Sequence, residues 1–226
     1  MIRLTDRLAA VASLIKGGGS VADIGTDHAY LTVWLVQNGF EGRVIASDIG
    51  EGPLANARKT VDIYGLGGRI ELRVSDGLKA YAPGEADEIV IAGMGGELIA
   101  DILSAVPWVK RPGTRLVLQP MSHQQDVRRW LSENGFRTEK ELCVPEGRRA
   151  YLVISADYTG ECESKEEGYY YFGELPPQTP TEARMKHATL RHLKTRVRSL
   201  HDAGRLLDEE TLLNGAIAYY ERNCKE

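Results

Sequence analysis

The sequence predicts an α/β protein with a mostly parallel sheet, a terminal antiparallel hairpin and a small helical C-terminal region. Three observations predict it. Short β-rich runs alternate with helix-like stretches over residues 21–157. The last two β-rich runs, 142–144 and 150–155, have no long helix between them, which predicts a hairpin through residues 146–149. Residues 182–223 have helical character throughout, broken near Gly204 or Asp208, which predicts two helices that fold back as an antiparallel pair. Parallel neighbours need a crossover helix, whereas a hairpin does not.

The N-terminal segment predicts an amphipathic helix that ends at glycines 17–19. Apolar residues recur there at helical spacing: Leu4, Leu8, Val11 and Ile15. Two arginines precede the apolar stretch, as in a secretory signal peptide. Asp6 lies inside that would-be basic region, so we interpret the segment as a helix of the folded protein.

The composition is that of a globular protein, with 42% apolar and 27% charged residues. No run approaches the length of about 18 apolar residues that a membrane span needs. The three cysteines are far apart and form no CxxC pair, so we expect neither a disulfide framework nor a zinc site, and a reducing, cytoplasmic compartment. The net charge of −4 identifies no partner, but the distribution of charge does.

Four further strands are predicted at 44–47, 70–74, 88–92 and 115–119. Pro53 suits the first turn of a helix over 54–64. Residues 93–96, Gly-Met-Gly-Gly, lead into a helix that continues to Leu103. Pro120 is predicted to stop the fifth strand. Ser122 and Gln125 form a capping-box pattern for a helix to residue 131, with Asn134-Gly135 as its stop.

The C-terminal region divides into a linker at 158–181 and a helical, coiled-coil-like domain at 182–226, after a first domain at 1–157. The linker is rich in Gly, Glu, Tyr and Pro, with one short structured stretch at 169–172. Basic residues of the helical domain recur at spacings of three and four: Arg184, His187, Arg191, Lys194, Arg198, His201 and Arg205. A neighbouring stripe is apolar: Leu190, Leu193, Val197, Leu200 and Leu207.

These two stripes predict a helix that packs along its apolar face and offers the adjacent basic face to phosphates. The basic candidates for RNA binding are Arg184, Arg191, Lys194, Arg198 and Arg205. The alternative is a solvated face whose long side chains cover the packed seam. Four arginines elsewhere could extend a positive surface or serve only locally: Arg128, Arg129, Arg148 and Arg149.

The segment "DIGTDHAYL", residues 23–31, occupies the place of a nucleotide-binding turn after the first strand. A dinucleotide turn cradles a pyrophosphate on bare backbone N–H groups near a helix N-terminus. Here Asp23 and Asp27 flank the only glycine, Gly25, and would repel a pyrophosphate while favouring a cation. S-adenosylmethionine carries a sulfonium and an ammonium, so charge favours it. The alternative is that Asp27 caps the next helix and Asp23 solvates a strand end.

Three more strand ends carry related features. Asp48, 25 positions after Asp23, can accept both ribose hydroxyls of an adenosine. Asp76-Gly77 can accept from an adenine amino group, and "IAGMGG" lets backbone approach something flat or reactive. Asp48 and Asp76-Gly77 could each be ordinary turn residues, whereas three glycines in four residues are hard to explain by packing. Each motif alone is a weak signal, and four at the successive strand ends of one sheet are a strong one. The candidate cofactor residues are Asp23, Gly25, Thr26, Asp48, Ile49, Asp76, Gly77, Ala92 and Gly93.

Together "VADIGTDHAYL", "ASDIGEGPLANARK", "VSDGL", "IAGMGGELI" and "LVLQPM" closely resemble the bacterial TrmK-type tRNA (adenine-N1)-methyltransferases, over residues 4–155. The resemblance implies a Rossmann-like class I methyltransferase domain with a seven-stranded sheet and a coiled-coil-like C-terminal domain. It also implies transfer of a methyl group from S-adenosylmethionine to adenine 22 in the tRNA D-loop. Residues 93–96 fall where other adenine methyltransferases have Asn/Asp-Pro-Pro-Tyr, and that departure fits a target atom other than N6.

Attack by adenine N1 uses a free in-plane lone pair, so it needs positioning and tolerance of positive charge but no strong general base. The candidate catalytic residues are Asp27, His28, Tyr30, Gly93 and Met94. Asp27 is the candidate for electrostatic help, and His28 and Tyr30 could hold or stack the target base. His28 could instead bond a neighbouring carbonyl in a first helical turn. For Tyr30 a core position is slightly favoured.

We therefore expect a tRNA methyltransferase that uses S-adenosylmethionine, with no metal and no membrane partner, acting as a monomer or a weak dimer. A small-molecule or other RNA methyltransferase is the alternative within the same fold, and the basic stripe disfavours a small-molecule substrate. A non-catalytic helical adaptor is disfavoured by the acidic strand ends. An NAD-dependent enzyme is disfavoured by the missing glycines and the acidic turn.

Overall fold

A computed structural model describes residues 1–147, 149–202 and 207–224 of the chain. The strands are β1 (Val21–Ile24), β2 (Val44–Asp48), β3 (Ile70–Val74), β4 (Glu88–Gly95), β5 (Arg115–Ser122), β6 (Phe136–Glu146) and β7 (Arg149–Tyr158). They form one sheet in the order β3-β2-β1-β4-β5-β7-β6. Strands β1 to β5 pair in parallel, and β7 is antiparallel to both β5 and β6. The predicted parallel sheet with a terminal hairpin is confirmed.

The helices are α1 (Asp6–Ser13), α2 (Tyr30–Gln37), α3 (Glu51–Ile63), α4 (Gly96–Ser104), α5 (Gln124–Glu133), α6 (Glu167–Phe172), α7 (Pro180–Asp202) and α8 (Leu207–Asn223). A short 3-10 turn lies at Pro107–Val109. Among the described residues, no helix combines the length and the apolar character that crossing a membrane requires.

The central strands are apolar on both sides because each face of the sheet carries its own core. Ile89 and Ile91 of β4 pack into the cluster that also contains Trp130 of α5. Val90, between them, packs into the opposite cluster with Val11 of α1. Successive strand residues point to opposite faces, so a continuous apolar run feeds two layers of helices. Burying each such side chain stabilises the fold by about 1.5–3 kcal/mol.

Strands β4 and β5 are longer than the sequence predicts, and the expectation that Pro120 stops β5 is wrong. β4 continues through the glycines to Gly95, and Met94 pairs with Pro120 across a register shift. The pairing of β5 with β7 extends only to Leu118. Beyond that point the described β7 ladder does not continue, and proline is tolerated in a strand where one side is unpaired.

The predicted capping box of α5 is also wrong. Ser122 is the last residue of β5, and His123 is the N-cap residue with a left-handed φ of 52° and no side-chain cap. The chain reverses direction between strand and helix through His123, which leaves no extended residue where a Ser hydroxyl could reach the helix N-terminus. The predicted stop holds, since α5 ends at Glu133 before Gly135 at φ 76°.

Helices α7 and α8 form the antiparallel pair that the sequence predicts. Lys194 contacts Glu221 at 2.7 Å and Arg196 contacts Glu209 at 3.1 Å, so the start of α8 lies toward the end of α7. Leu193 and Leu200 of the apolar stripe are buried, as predicted. Leu207 begins α8, but its side chain lies outside the described set, as does the predicted break at Gly204.

Helix α6 lies within the predicted linker and is tied to α5 and β6. The guanidinium of Arg128, 2% exposed, forms an ion pair with Glu141 at 2.6 Å and donates to the carbonyl of Tyr170 at 2.9 Å. A buried cation needs such partners, because an unpaired one costs several kcal/mol. Arg129 pairs with Glu167 at 2.7 Å and lies over the Tyr170 ring. These two arginines therefore hold α6 and do not extend a free positive surface.

Candidate functional site

The candidate site lies at the carboxyl ends of β1 to β4. In the sheet order, β1 lies between β2 and β4, so the chain moves outward in opposite directions from this point. Crevices at such a reversal are where open parallel sheets bind ligands. Asp23, which pairs with Ala46 and Val90, sits at the centre of it.

Asp23 is a buried carboxyl group at the end of β1, only 6% exposed. The hydroxyl of Thr26 donates to its Oδ2 at 2.7 Å, and the backbone of the turn is anchored by Gly25 N and Thr26 N, which donate to Ser47 O at 2.8 and 2.9 Å. Burial raises the pKa of Asp23 to about 6; the Thr26 hydrogen bond opposes the rise and the nearby Asp48 adds to it. The turn thus holds a carboxyl group that favours a cationic partner.

Asp48 and Ile49 follow β2 beside it. Asp48 Oδ1 accepts from the backbone N–H of Gly50 at 3.1 Å, which fixes the carboxylate at the mouth of the crevice. Ile49 is 69% exposed, although isoleucine is among the residues most often buried. An acidic group next to an exposed apolar side chain suits a ribose and a flat base.

Asp76 and Gly77 follow β3 in a short closed loop. Ser75 Oγ donates to the Gly77 carbonyl at 2.7 Å and accepts from Ala80 N at 3.2 Å. Asp76 is exposed and paired with Lys79 at 2.5 Å. Its carboxylate therefore already has a partner on the surface, and Asp76 is the most exposed of the three predicted cofactor carboxylates, Asp23, Asp48 and Asp76.

The end of β4 approaches β1 through Ala92, Gly93 and Met94. Gly25 has a left-handed φ of 76°, and a Cβ there would lie 2.2 Å from Met94 Cε. The Met94 side chain therefore packs directly against the turn after β1, which brings the two segments together. Gly93, at φ 86°, is exposed at the strand end.

Packing explains part of the glycine cluster, contrary to the sequence interpretation. A Cβ at Gly96 would lie 2.0 Å from the carbonyl oxygen of His123, so only glycine lets α4 begin against the chain after β5. At Gly93 the nearest atom to a Cβ is Arg7 Nη1 at 3.5 Å, an ordinary contact. Of these two, only Gly93 keeps open space on the site side.

The turn after β1 presents Asp27, His28 and Tyr30 together. Asp27 and Ala29 adopt left-handed φ values of 47° and 56°, a conformation that costs non-glycine residues about 1 kcal/mol or more. The His28 and Tyr30 rings stack with centroids 5.0 Å apart and an interplanar angle of 9°. Asp27 Oδ2 lies 3.6 Å from His28 Nε2.

Three alternatives from the sequence are settled by this geometry. Asp27 does not cap α2, because the N-cap residue is Ala29 and no side chain caps the helix. The described partner of the His28 ring nitrogen is the Asp27 carboxylate, not a carbonyl. The favoured core position for Tyr30 is wrong, since Tyr30 is 42% exposed. The left-handed turn at Ala29 starts α2 with Tyr30 directed out of the core.

Sequence reasoning missed Arg7 and Gln119, which α1 and β5 bring to the end of β4. Arg7 Nη1 donates to Gln119 Oε1 at 2.6 Å, and Gln119 is fully buried. The backbone N–H of Arg7 donates to Glu146 Oε2 at 3.1 Å. "LVLQPM" contains Gln119 within an otherwise apolar strand, and that buried amide was the available signal.

The basic stripe is exposed along α7 but its members differ in their partners. Arg184, His187, Arg191, Lys194 and Arg198 are all exposed. Lys194 pairs with Glu221, whereas within the described ranges Arg191 and Arg198 have no carboxylate at ion-pair distance. His201 lies 3.9 Å from Glu210. Arg205, like Arg148 of the hairpin, lies outside the described residues.

No group of three or more His, Cys, Asp or Glu side chains in the described part of the chain is arranged to hold a metal ion.

Comparison with known proteins identifies the family to which this fold belongs. A family model described as "Methyltransferase domain" matches residues 4–154. The crystal structure of the B. subtilis m1A22 tRNA methyltransferase TrmK is 31% identical, with a TM-score of 0.82, and the match covers 98% of this chain and 97% of that one. This chain belongs to the TrmK-type methyltransferase family. The resemblance noted in the sequence is thereby confirmed, together with the methyltransferase fold.

Two further proteins are similar to this chain. A tRNA (adenine(22)-N(1))-methyltransferase of Bacillus subtilis strain 168 is 40% identical over 156 residues, 69% of this chain. The aligned stretch spans 66% of that relative, just under two thirds of its length. A Streptococcus pneumoniae protein described as a putative tRNA (m1A22) methyltransferase, solved with S-adenosyl-L-methionine, is 29% identical with a TM-score of 0.78, covering 96% of this chain and all of that one.

Proposed function

We propose that this protein transfers a methyl group from S-adenosylmethionine to N1 of an adenine in tRNA, with adenine 22 of the D-loop as the target. The observation that carries the proposal is the pair of fixed carboxyl groups, Asp23 and Asp48, at the strand reversal of a TrmK-type chain. A pyrophosphate cofactor would be repelled there, and a cationic nucleoside is favoured.

The residues present fit S-adenosylmethionine. Asp48 uses one oxygen to accept from Gly50 N and keeps lone pairs for the ribose hydroxyls. The exposed side chain of Ile49 offers an apolar surface for the adenine ring. Asp23 supplies negative charge for the ammonium, and Gly25 leaves the turn without a side chain in the way. Asp76, Gly77 and Ala92 would complete the cradle at the neighbouring strand ends.

When bound, S-adenosylmethionine supplies an electrophilic methyl group, and its sulfonium becomes a neutral thioether as the carbon–sulfur bond breaks. The N1 lone pair of adenine forms the new bond, so the base gains positive charge and loses no proton. The residues therefore need to orient the base, not deprotonate it. We assign that task to the stacked His28–Tyr30 pair, with Gly93 and Met94 forming the floor on the β4 side.

Asp27 supports the charge that develops on the base. Its carboxylate is 62% exposed at the side chain and lies beside the His28 ring. An anion placed where positive charge appears stabilises the transition state more than the ground state. Removing such a group from a preorganised site costs on the order of 10²-fold in kcat.

A target adenine in folded tRNA must leave its stack, at a cost of a few kcal/mol, so the rest of the RNA must be held elsewhere. We propose that the exposed basic residues of α7 contribute to this, from a helical domain at 182–226 joined by residues 158–181 to the methyltransferase domain at 1–157. The exposed basic surface disfavours the alternative of a small-molecule substrate. We further propose that the protein acts in the cytoplasm, as a monomer or a weak dimer.

The test is to incubate the protein with tritiated S-adenosylmethionine and bulk tRNA and to map the product by primer extension. N1-methyladenine lacks its Watson–Crick edge, so reverse transcription should stop next to position 22. Incorporated tritium without a stop would contradict N1 as the acceptor, and a stop elsewhere would contradict the position. Asp48→Ala protein is the matched negative control.

A further inference from the structure

A groove of about 840 Å³ lies between the β6–β7 hairpin, the end of β5 and the first half of α7. It does not overlap the cofactor crevice at the ends of β1 to β3. Six of its lining side chains matter here: Met121, Arg149, Tyr151, Arg184, His187 and Arg191. Two separate parts of the fold, the hairpin and the helical domain, thus contribute arginines to one concave surface.

The charge of this groove is one-sided. Within the parts of the chain that the structure describes, no Asp or Glu lines it. Arg149, Arg184 and Arg191 also have no ion pair with any described carboxylate, and the hydrogen bond found for these guanidinium groups joins Arg184 to the Thr181 hydroxyl at 3.4 Å. Converging cations without internal counterions raise the local potential and attract a polyanion.

Three basic residues elsewhere in the helical region are paired with carboxylates. Arg196 pairs with Glu209 at 3.1 Å and Arg222 pairs with Glu166 at 2.5 Å. Lys186 is buried and paired with Glu182. Arg198 of α7 also has no described carboxylate partner, so what distinguishes the groove is that three unpaired arginines from two parts of the fold line one concave surface.

Two side chains connect the groove to the end of β4. Arg7 is adjacent to Gly93 and lies 5.7 Å from the ring centroid of Tyr151, which lines the groove. On the other side, Gln119 Nε2 contacts the sulfur of Met121 at 3.6 Å. Through Arg7 and Gln119, the end of β4 is therefore in contact with Tyr151 and Met121, which line the groove.

We propose that this groove binds the ribose–phosphate backbone of the unpaired nucleotides that flank the target adenine. The proposal rests on the proposed function, since it takes the adenine to lie at the end of β4. Arg184 and Arg191 are seven residues apart, about 10 Å along the helix. That length spans a few nucleotides of a stacked strand, which rises about 3.4 Å per nucleotide. Arg149 faces them from the hairpin, and Tyr151 and Met121 offer surfaces on which displaced bases stack.

The first test compares groove and control arginines in tRNA binding, which does not require methylation. Arg149→Gln and Arg184→Gln should each weaken tRNA affinity about fivefold and lower the slope of log affinity against log salt by about one. Arg196→Gln and Arg222→Gln, which remove equally charged but paired residues, should change affinity less than twofold. Calorimetry with S-adenosylmethionine should give the same affinity for all four variants and for the wild type.

The outcomes separate the two proposals. If both groove variants keep the tRNA affinity and the salt slope of the wild type, the proposal that the groove binds RNA is wrong, even if tRNA is methylated normally. Loss of affinity in the groove variants, from a wild-type protein that binds tRNA but methylates no adenine N1, would leave the groove standing and overturn the function.

The second test locates the strand. A photo-crosslinking amino acid at His187 should crosslink to nucleotides within a few positions of the methylated adenine, as mapped by reverse transcription. Crosslinks confined to the anticodon or acceptor arm would overturn the assignment of the groove to the flanking nucleotides. A single-stranded D-loop oligonucleotide should compete for this crosslink better than an RNA duplex of equal length, and the reverse order would overturn the unpaired state of the bound strand.

Discussion

The acidic strand ends and the basic groove differ in whether their charged groups have partners within the protein. Asp23 is 6% exposed and hydrogen-bonded to Thr26, and Asp48 is fixed by Gly50 N. The groove arginines Arg149, Arg184 and Arg191 are exposed and have no described carboxylate partner. One surface is preorganised for a small cation by internal hydrogen bonds. The other becomes neutral only when an outside anion binds.

Under the proposed function, this difference would direct the two nucleotide-containing substrates to separate surfaces. A cationic nucleoside is attracted to the strand ends and repelled from the groove, and a polyanion is treated in the reverse way. Because buried charges are screened little by salt and exposed ones strongly, ionic strength should separate the two binding events.

The largest effect should come from Asp48→Ala, which removes one of the two carboxyl groups at the acidic strand ends. Loss of two charge-assisted hydrogen bonds to ribose hydroxyls, each worth about 1.5–3 kcal/mol, should weaken S-adenosylmethionine at least 100-fold in calorimetry. tRNA affinity should not fall.

The matched control is Asp101→Asn on the exposed side of α4, which removes the same charge away from the strand ends. Equal weakening by both substitutions would mean that only net charge matters and that the strand end is not a specific site. An unaffected Asp48→Ala protein would remove Asp48 from the cofactor site.

A second prediction uses the pKa of Asp23, which burial raises to about 6. The carboxylate form is present above that value and lost as pH falls below it. Since the charged form attracts the ammonium, affinity for S-adenosylmethionine should fall about tenfold between pH 7 and pH 5. In Asp23→Asn protein the affinity should be low and nearly independent of pH over that range.

Folding should show the opposite sign at Asp23. A raised pKa means that the folded state favours the protonated form, so the cost of burying the carboxylate is fully present above pH 6 and absent below about pH 4. Asp23→Asn should therefore raise the melting temperature of the free protein more at pH 8 than at pH 5. A lower melting temperature at pH 8 would show that Asp23 stabilises the fold and is not held for its ligand.

The sequence was informative wherever a local pattern determines structure. The apolar runs of β1 to β5 identified the parallel sheet, and the stripe containing Leu193 and Leu200 identified the packed face of α7. Strand-end carboxylates such as Asp48 could be placed because parallel strands end at one edge of a sheet. These inferences need only the neighbours along the chain.

Features that depend on distant partners could not be predicted in this way. Pro120 remains in β5 because β7 pairs no further than Leu118, and Gly96 is required by the carbonyl of His123. Arg128 looked like a surface cation but is buried against Glu141 and Tyr170. The position of Arg7 beside Gly93 depends on how α1 crosses the sheet, which no local spacing encodes.

A third prediction concerns Tyr30, the first residue of α2 in the turn after β1. Tyr30→Ala should lower kcat/KM for tRNA about tenfold, because base–aromatic stacking is worth about 1–3 kcal/mol. Tyr30→Phe should retain most activity, since the ring that stacks on His28 remains. Because Tyr30 is 42% exposed, neither substitution should change the melting temperature by more than a few degrees. A large loss of stability without a specific loss of activity would make Tyr30 a structural residue.

The smallest effects should separate two neighbours on α7, Arg191 in the groove and Lys194 paired with Glu221 at 2.7 Å. Arg191→Ala should weaken tRNA binding several-fold and lower the salt slope by about one. Lys194→Ala should have a smaller effect, because its charge is already compensated. Glu221→Gln should free Lys194 and tighten binding about twofold at low salt, an effect that salt removes. If Lys194→Ala weakens binding as much as Arg191→Ala, and Glu221→Gln changes nothing, the phosphate-binding surface extends along the whole face of α7, and internal pairing does not limit it to the groove.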